Sequence, residues 1–213
     1  MSIPKNVRVS RHPLVLHRLA QLRDRASDAP LFRRLVRDVS QMLFFEASAD
    51  LELAPHTVQT PLAQCQGHHL NQKIGLVPIL RAGLGMAEAI LDMVPTAQVW
   101  HLGLYRDHQT LKPITYYNKL TDRAELDICY VVDPMLATGG SAVAAIKILK
   151  NWGLTAIKFL GLIAAPEGVR ALAEAHPEVP IHLAALDSHL NEQSYIVPGL
   201  GDAGDRQFGT LTQ

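Results

Sequence analysis

An α/β fold built on a doubly wound, mostly parallel sheet is predicted by two features of the sequence. Short runs rich in Val, Ile and Leu recur along the second part of the chain: IGLVPIL, VWHLGL, ICYVV, AIKFLGLIA and IHLAAL. Most are followed by apolar residues at helical spacing, as at Met86, Ala87, Ile90 and Leu91. Runs that are apolar throughout indicate strands buried on both faces, and their alternation with helices indicates a parallel sheet.

A helical lead-in precedes the sheet. Apolar residues recur there at three- and four-residue spacing, which predicts two amphipathic helices with their boundary at Pro30. These residues are Val15, Leu19 and Leu22, then Leu31, Leu35, Val39 and Met42. Residues from about Thr57 to Gly67 predict a hairpin. A later alternating stretch after Pro113, with Tyr116, Tyr117 and Lys119, predicts an extended β-arm or a packed hairpin.

Composition narrows the class of protein. The chain has 213 residues, 48% hydrophobic and 19% charged, which favours a single packed domain over 1–213. Lys+Arg 20 and Asp+Glu 20 balance, and a net charge of zero argues against nucleic-acid or membrane partners. Cys65 and Cys129 form no CxxC or zinc spacing, and the N-terminal region lacks a continuous apolar run. We therefore expect reduced thiols and a cytoplasmic protein.

The motif VVDPMLATGGS is the strongest chemical signal. A buried strand ends at Asp133, and the turn containing Gly139 and Gly140 leads directly into a helix. Backbone N–H groups at such a helix start bind phosphate, and glycine lets the backbone approach closely. Thr138 and Ser141 add hydroxyl donors. The motif predicts a phosphate cradle, in which we expect Gly139→Val to block the ligand and to leave the fold intact.

Two other glycine turns resemble dinucleotide-binding motifs only in part. The RAGLG turn after IGLVPIL carries Glu88 where the third glycine belongs. The C-terminal stretch from Gly199 to Gly204 matches GxGxxG but is preceded by Pro198, and the residues up to Gln213 leave no room for a helix and a second strand. A nicotinamide-dependent oxidoreductase is therefore a disfavoured alternative.

Taken in order, the motifs resemble those of the uracil phosphoribosyltransferase family, within the type I phosphoribosyltransferases. The resemblance runs from His12-Pro13 to Phe208-Gly209-Thr210 and includes VPILRAGLGM, LYRD, DPMLATGGS, AAPEG, LNE and IVPGLGDAGD. It implies transfer of the phosphoribosyl group of phosphoribosyl pyrophosphate to uracil, giving UMP and pyrophosphate in pyrimidine salvage. It also implies Mg²⁺ as cofactor, a homodimer or larger homo-oligomer, and for some relatives an activating nucleotide such as GTP.

The resemblance also implies roles for individual residues. Asp133, Arg106 and Asp202 form the catalytic set, and Arg81 and Arg106 bind the pyrophosphate together with Asp202. The ribose and its phosphate are bound by Asp133, Pro134, Met135, Leu136, Ala137, Thr138, Gly139, Gly140 and Ser141. Uracil is bound by Ile196, Gly201, Asp202 and Ala203, within a C-terminal hood at about 188–210.

The phosphate loop carries one acid where many relatives in the wider superfamily have two. Mg²⁺ is therefore expected to have no direct protein ligand. It is held mainly by substrate oxygens, with Asp202 acting through water. A regulatory relative that senses a nucleotide and binds RNA is the other alternative, which the zero net charge disfavours. The nearest alternative among enzymes is the use of another pyrimidine or purine base.

Overall fold

Helices and strands alternate along the chain in the order that the apolar runs predict. The computed structural model describes residues 3–106, 113–118 and 125–210, with 103–106 and 113–118 described by their backbone alone. The helices are α1 Pro13–Arg23, α2 Ala29–Ala47, α3 Leu84–Met93, α4 Gly140–Asn151, α5 Pro166–Ala175 and α6 Ala203–Phe208. The strands are β1 Val7–Val9, β2 Leu53–Gln59, β3 Gln64–Leu70, β4 Ile74–Pro78, β5 Gln98–Val99, β6 Leu102–Arg106, β7 Pro113–Asn118, β8 Ile128–Val132, β9 Met135–Leu136, β10 Ile157–Ala164, β11 Ile181–Leu186, β12 His189–Leu190 and β13 Ile196–Val197.

The central sheet is parallel. Its order is β1-β11-β10-β8-β4-β5, and the short β9 pairs beside β8 with the end of β10. Each pairing within it is parallel, with Leu76 opposite Tyr130 and Phe159 opposite Val131. The carboxyl ends of β4, β8, β10 and β11 therefore meet at one edge, where ligands bind in sheets of this kind.

The sheet is covered on both faces, which confirms the doubly wound prediction. Tyr130 and Val132 of β8 pack into the hydrophobic cluster formed with α1, α2 and α3. Their neighbours Cys129 and Val131 pack into the opposite cluster, formed with α4 and α5. All five residues of β8 are buried, because a strand between two helical layers exposes neither face to water.

The two N-terminal helices are confirmed, with the boundary close to Pro30. The Nδ1 atom of His12 accepts a hydrogen bond from Leu14 N–H at 3.2 Å, and Pro13 occupies the first position of α1. Asp28 caps α2 in the same way, its carboxylate accepting from Leu31 N–H at 2.9 Å. These caps satisfy N–H groups that have no partner within the helix.

The prediction that VWHLGL forms a single strand is wrong. β5 pairs with β4 in the sheet, whereas β6 pairs with β7 in a separate antiparallel hairpin. Between them, Trp100 turns to pack against Trp152, with ring centroids 5.2 Å apart. Leu102 returns to form one parallel bridge with Ile79 before the chain leaves the sheet. The local sequence is apolar on both sides of this break, so the run alone does not reveal it.

Two hairpins form separate two-stranded sheets beside the central one. The expected hairpin at 57–67 is confirmed and longer than predicted, since β2 and β3 pair from Leu53 opposite Leu70 to Gln59 opposite Gln64. Most of its residues are exposed. The β-arm predicted after Pro113 is the β6–β7 hairpin. Lys119 of the predicted arm lies outside the described residues.

Candidate active site

A cavity of about 640 Å³ lies at the carboxyl edge of the sheet. Three segments that are distant in the sequence form its walls: the end of β4, the loop after β8 and the C-terminal hood. The lining residues are Ile79, Leu80, Arg81, Ala82, Asp133, Met135, Ala137, Ser141, Gln193, Ser194, Tyr195, Ile196, Asp202 and Gly204. Predicted residues of the phosphate, pyrophosphate and uracil sites thus share one cavity.

Asp133 is the acid of this cavity that directly follows β8. Its Oδ1 atom accepts a hydrogen bond from Met135 N–H at 3.3 Å. Burial raises the pKa of Asp133 to about 7, against the lowering effect of that hydrogen bond. A carboxyl group held this way sits at the boundary between its neutral and ionised forms near neutral pH, which is typical of functional sites.

The predicted phosphate loop, residues 133–141, is fixed to the sheet by backbone hydrogen bonds. Pro134 and Leu136 carbonyl oxygens accept hydrogen bonds from Ile163 N–H and Ala165 N–H, each at 3.0 Å. Pro134 and Leu136 are buried, whereas Met135, Ala137 and Ser141 line the cavity. The alternation arises because β9 pairs with β10 as a strand. Successive residues of a strand face opposite sides, here the protein interior and the cavity.

The loop turns into α4 at Gly139 and Gly140. Gly139 has a φ of 83°, and an added Cβ would lie 2.9 Å from the carbonyl oxygen of Gly168 in α5. The expected reason for the effect of Gly139→Val is therefore wrong, because this Cβ points at protein and strains the turn. At Gly140, Thr138 Oγ1 at 4.0 Å is the one atom of the described residues that an added Cβ would meet, so Gly140 has open space around it within the described structure.

Arg81 extends from the turn after β4. The Leu80–Arg81 peptide is cis, and the Arg81 guanidinium lies 3.5 Å from Asp205 Oδ1 with its side chain 60% exposed. Gly83 allows the turn to pack closely, since a Cβ there would lie 2.5 Å from the carbonyl oxygen of Val132. This turn therefore holds an exposed cation beside β8, the strand that Asp133 directly follows.

The hood consists of the β12–β13 hairpin, a loop and α6. Asp202 caps α6 by accepting from Asp205 N–H at 2.9 Å. Ile196 and Asp202 line the cavity, whereas Gly201 and Ala203 flank Asp202 without lining it. The sequence predicted a shaped loop here, and the structure adds the short helix.

Tyr195 is a cavity residue that the sequence did not single out. This residue is 49% exposed and stands at the cavity wall beside Gln193 and Ser194. The preceding turn is built by Asn191, whose Oδ1 atom accepts from Tyr195 N–H at 2.8 Å. The only signal in the sequence was its place between the LNE and IVPGLGD motifs.

Arg106 ends β6, and its side chain is outside the part of the chain that the structure describes. The same holds for the side chains of Tyr116 and Tyr117, and for all of residues 107–112, among them Asp107, His108, Gln109 and Lys112. The described residues therefore bring together Arg81, Asp133, the phosphate loop and the hood. Arg106 stays a prediction.

The fold is one that solved phosphoribosyltransferases share. A solved hypoxanthine phosphoribosyltransferase from Staphylococcus aureus shares the fold, with a TM-score of 0.52 and 11% identity over 73% of this chain and 74% of that one. A protein of Aquifex aeolicus is much more similar, with a TM-score of 0.90 and 36% identity, covering 97% of this chain and 100% of that one.

Sequence comparison identifies the family. The uracil phosphoribosyltransferase family model matches residues 9–210. A uracil phosphoribosyltransferase of Roseiflexus castenholzii is 66% identical over 97% of this chain and 99% of its own length. One from Halalkalibacterium halodurans is 56% identical over 93% and 96%. The chain belongs to the uracil phosphoribosyltransferase family.

Proposed function

We propose that this chain transfers the phosphoribosyl group from phosphoribosyl pyrophosphate to uracil in the cavity between the phosphate loop and the hood, giving UMP and pyrophosphate. One observation carries the proposal: Asp133, Arg81 and the hood residue Asp202 line the same cavity. An acid for the ribose, a cation for the pyrophosphate and a cover for the base are the groups that this reaction needs.

The ribose phosphate fits the start of α4. Gly140 is the first residue of this helix, and the N–H groups of a first turn have no partner within the helix and attract an anion. Ala137 and Ser141 line the cavity beside it. In this proposal the phosphate binds to the backbone from Ala137 to Ser141, and the Asp133 carboxylate accepts from the ribose hydroxyls.

The pyrophosphate fits on the side of Arg81. This guanidinium is exposed, and its ion pair with Asp205 is long at 3.5 Å, so a phosphate oxygen can replace the carboxylate. Arg106 is proposed as the second cation. Together the two arginines stabilise the charge that develops on the leaving group.

Uracil fits beneath the hood. We assign the backbone of Ile196, which lines the cavity, and of Gly201 and Ala203, which flank the lining residue Asp202, to the polar edge of the base. The Tyr195 ring is assigned to the entrance of the cavity. A ring nitrogen of uracil forms a bond to the anomeric carbon as the bond from that carbon to pyrophosphate breaks. No covalent intermediate with the protein is needed, since positioning and charge stabilisation lower the barrier. The Asp133 carboxylate offsets positive charge developing on the ribose ring.

The cavity suits Mg²⁺ that arrives with the substrate. Among the described residues, no group of three or more His, Cys, Asp or Glu side chains is placed to hold a metal. The separate carboxylates of Asp133 and Asp202 leave most ligand positions to phosphate oxygens and water, as Mg²⁺ prefers. When bound, Mg²⁺ neutralises charge on the pyrophosphate. We place Asp202 next to it through water.

A second copy of the chain is proposed as partner. The β2–β3 hairpin exposes Leu53, Val58, Leu62 and Leu70, and two-stranded ribbons are marginal when unsupported. Covering this hairpin in a homodimer would bury these side chains. An activating nucleotide such as GTP is proposed on the resemblance alone.

A cytoplasmic location is proposed for the protein. Both of its cysteines are free, and Cys65 is exposed, which suits a reducing compartment. Within the described ranges, no helix has the length and apolarity needed to cross a bilayer.

Pyrophosphate release with a panel of bases tests the function. Phosphoribosyl pyrophosphate and Mg²⁺ are mixed with uracil, cytosine, hypoxanthine or guanine, and UMP is identified by chromatography. We expect rapid release with uracil and release near background with the other bases. A faster reaction with a purine would refute the assignment of the base. Adding GTP at low substrate concentration tests activation in the same assay.

A further inference from the structure

Two arginines join the N-terminal helices to the part of the hood between Ile196 and Gly201. Arg23 lies at the end of α1 and reaches the carbonyl oxygen of Gly199 at 2.7 Å. Arg206 lies in α6 and reaches the carbonyl oxygen of Leu200 at 2.7 Å. Neither arginine lines the cavity. A role for them in base binding rests on the proposed function, which assigns the backbone on either side of these carbonyl groups to uracil.

Arg23 acts together with Asp187, the residue after β11. The two side chains form a two-pronged ion pair, with Nη1 to Oδ2 at 2.7 Å and Nη2 to Oδ1 at 2.5 Å. Asp187 Oδ2 also accepts from Gly199 N–H at 2.9 Å. The N–H and the carbonyl oxygen of Gly199 are thus both bound by one nearly buried ion pair, with the Asp187 side chain 4% exposed.

Arg206 binds the loop between α1 and α2. Its guanidinium donates to the carbonyl oxygens of Leu22 at 2.9 Å, Asp24 at 2.5 Å and Ser27 at 3.4 Å, in addition to Leu200. It also lies over the Phe32 ring, 4.4 Å from the centroid. Several acceptors and one aromatic face fix the plane of this guanidinium, which a lysine ammonium would not reproduce.

The geometry of the peptide group connects these contacts to the base. In a trans peptide the carbonyl oxygen and the following N–H point in opposite directions within one rigid plane. Because the Leu200 carbonyl points to Arg206, the Gly201 N–H points away from the N-terminal helices. Among the described residues this N–H donates to no acceptor, and Gly201 is exposed. It is a free donor whose direction Arg206 sets.

We propose that Arg206 and the Arg23–Asp187 pair are positioning residues of the uracil subsite. They hold the peptides of Gly199 and Leu200 so that the Gly201 N–H is aligned with a carbonyl oxygen of uracil before the base binds. Base recognition then depends on α1, whose C-terminal residues contact the hood and not the cavity. Prior alignment strengthens a hydrogen bond because little ordering remains to be done on binding.

Arg33 provides a matched control. This residue of α2 donates to the carbonyl oxygen of Gln207 in α6 at 2.8 Å, so it also ties the helical layer to the hood. Its acceptor lies beyond the segment assigned to uracil. Arg33→Ala therefore removes a hydrogen bond to the hood of similar length to those of Arg23 and Arg206, and it does not affect the Gly201 peptide.

The test measures the two substrates separately in Arg206→Lys, Asp187→Asn and Arg33→Ala. For the first two variants we expect the KM for uracil to rise about tenfold or more, with the Kd for phosphoribosyl pyrophosphate in Mg²⁺, measured by calorimetry, changed less than about threefold. For Arg33→Ala we expect neither constant to change. Thermal melting identifies any variant that does not fold. If one of Arg206→Lys and Asp187→Asn does not fold, the KM for uracil of the other tests the inference.

The outcomes separate this inference from the proposed function. The inference alone is overturned if the parent forms UMP but the two positioning variants lose affinity for both substrates equally. It is also overturned if the parent forms UMP and these variants leave the KM for uracil unchanged. An Arg33→Ala variant with the same uracil-specific loss overturns it as well. A parent that forms no UMP from uracil overturns the proposed function, and the inference with it.

Discussion

Gly168 packs against the backbone of Ala137: a Cβ on Gly168 would lie 2.4 Å from the Ala137 carbonyl oxygen and 2.5 Å from that of Leu136. The first turn of α5 therefore packs directly against the backbone of the phosphate loop. This contact explains the glycine of the AAPEG motif, whose role the sequence alone does not show. The loop has its shape because α5 comes close enough to support it.

Gly168→Ala should distort the phosphate loop. A methyl group at this position overlaps backbone atoms on a strand-anchored loop, so we expect a loss of about 1–3 kcal/mol in the free energy of unfolding. The affinity for phosphoribosyl pyrophosphate should fall in parallel. Denaturant unfolding and calorimetry measure the two effects. Glu174→Ala, an exposed substitution in the same helix, is the control, and wild-type behaviour of Gly168→Ala would contradict the close packing.

Gly140→Val should separate binding from folding at the turn into α4. Among the described residues its Cβ meets Thr138 Oγ1 alone, at 4.0 Å, so the fold should persist while the phosphate is excluded. Gly139→Val should instead destabilise the protein, because φ is 83° and Gly168 O is 2.9 Å from the added atom. Melting curves and calorimetry with phosphoribosyl pyrophosphate distinguish the two. Unchanged affinity in a folded Gly140→Val protein would refute the phosphate assignment.

The strands and helices around the site could be predicted because their signals are local. Apolar runs located β4, β8, β10 and β11, and the residues after two of them, Arg81 and Asp133, do line one cavity. The contacts of Arg206 could not be predicted in this way. Its partner Asp24 is 182 positions away along the chain, and only the packing of α6 against the α1–α2 loop brings them together.

Asp133→Asn should stabilise the free protein more at high pH than at low pH. The pKa of this carboxyl group is near its ordinary value of 3.8 in the unfolded chain and about 7 in the folded protein. Between these values the folded protein holds a proton that the unfolded chain releases, so the parent loses stability as the pH rises towards 7. The amide of the variant does not titrate, and its Tm relative to the parent should therefore increase from pH 5 to pH 8.

Melting curves at several pH values, without substrate, provide this measurement. Glu174→Gln, which removes an exposed carboxylate, is measured in parallel as the control. A constant Tm difference for Asp133→Asn would mean that burial does not raise the pKa of Asp133. The same variant should lose most of its activity, because a neutral amide does not offset the charge that develops on the ribose.

Mg²⁺ should bind weakly to the free protein and tightly only with phosphoribosyl pyrophosphate. Asp133 and Asp202 stand in different segments of the cavity wall, and most ligands of the ion are expected to be substrate oxygens and water. Calorimetric titration of Mg²⁺ into the protein, with and without substrate, measures this. Tight binding to the free protein that Asp202→Asn abolishes would instead make Asp202 a direct ligand.

Uracil should be strongly preferred over cytosine. In the proposed hood, the N–H groups of Gly201 and Ala203 donate to the carbonyl oxygens of the base, and the carbonyl oxygen of Ile196 accepts from its ring N–H. Cytosine places an amino group where a carbonyl oxygen is required and an unprotonated nitrogen where an N–H is required. Each mismatch leaves a polar group unpaired at about 1–3 kcal/mol, and such sites discriminate by roughly 10⁴-fold or more.

Val197→Ala tests whether this preference resides in the backbone. Val197 is half-buried in β13 next to Ile196, and its truncation alters packing without removing a backbone donor or acceptor. The rate should therefore change while the ratio of kcat/KM for uracil to that for cytosine stays within a few fold of the parent ratio. Both ratios come from initial rates of pyrophosphate release. Comparable turnover of cytosine by the parent would place the base elsewhere in the cavity. A collapse of the ratio in Val197→Ala would assign the selectivity to side chains, because backbone groups alone would have preserved it.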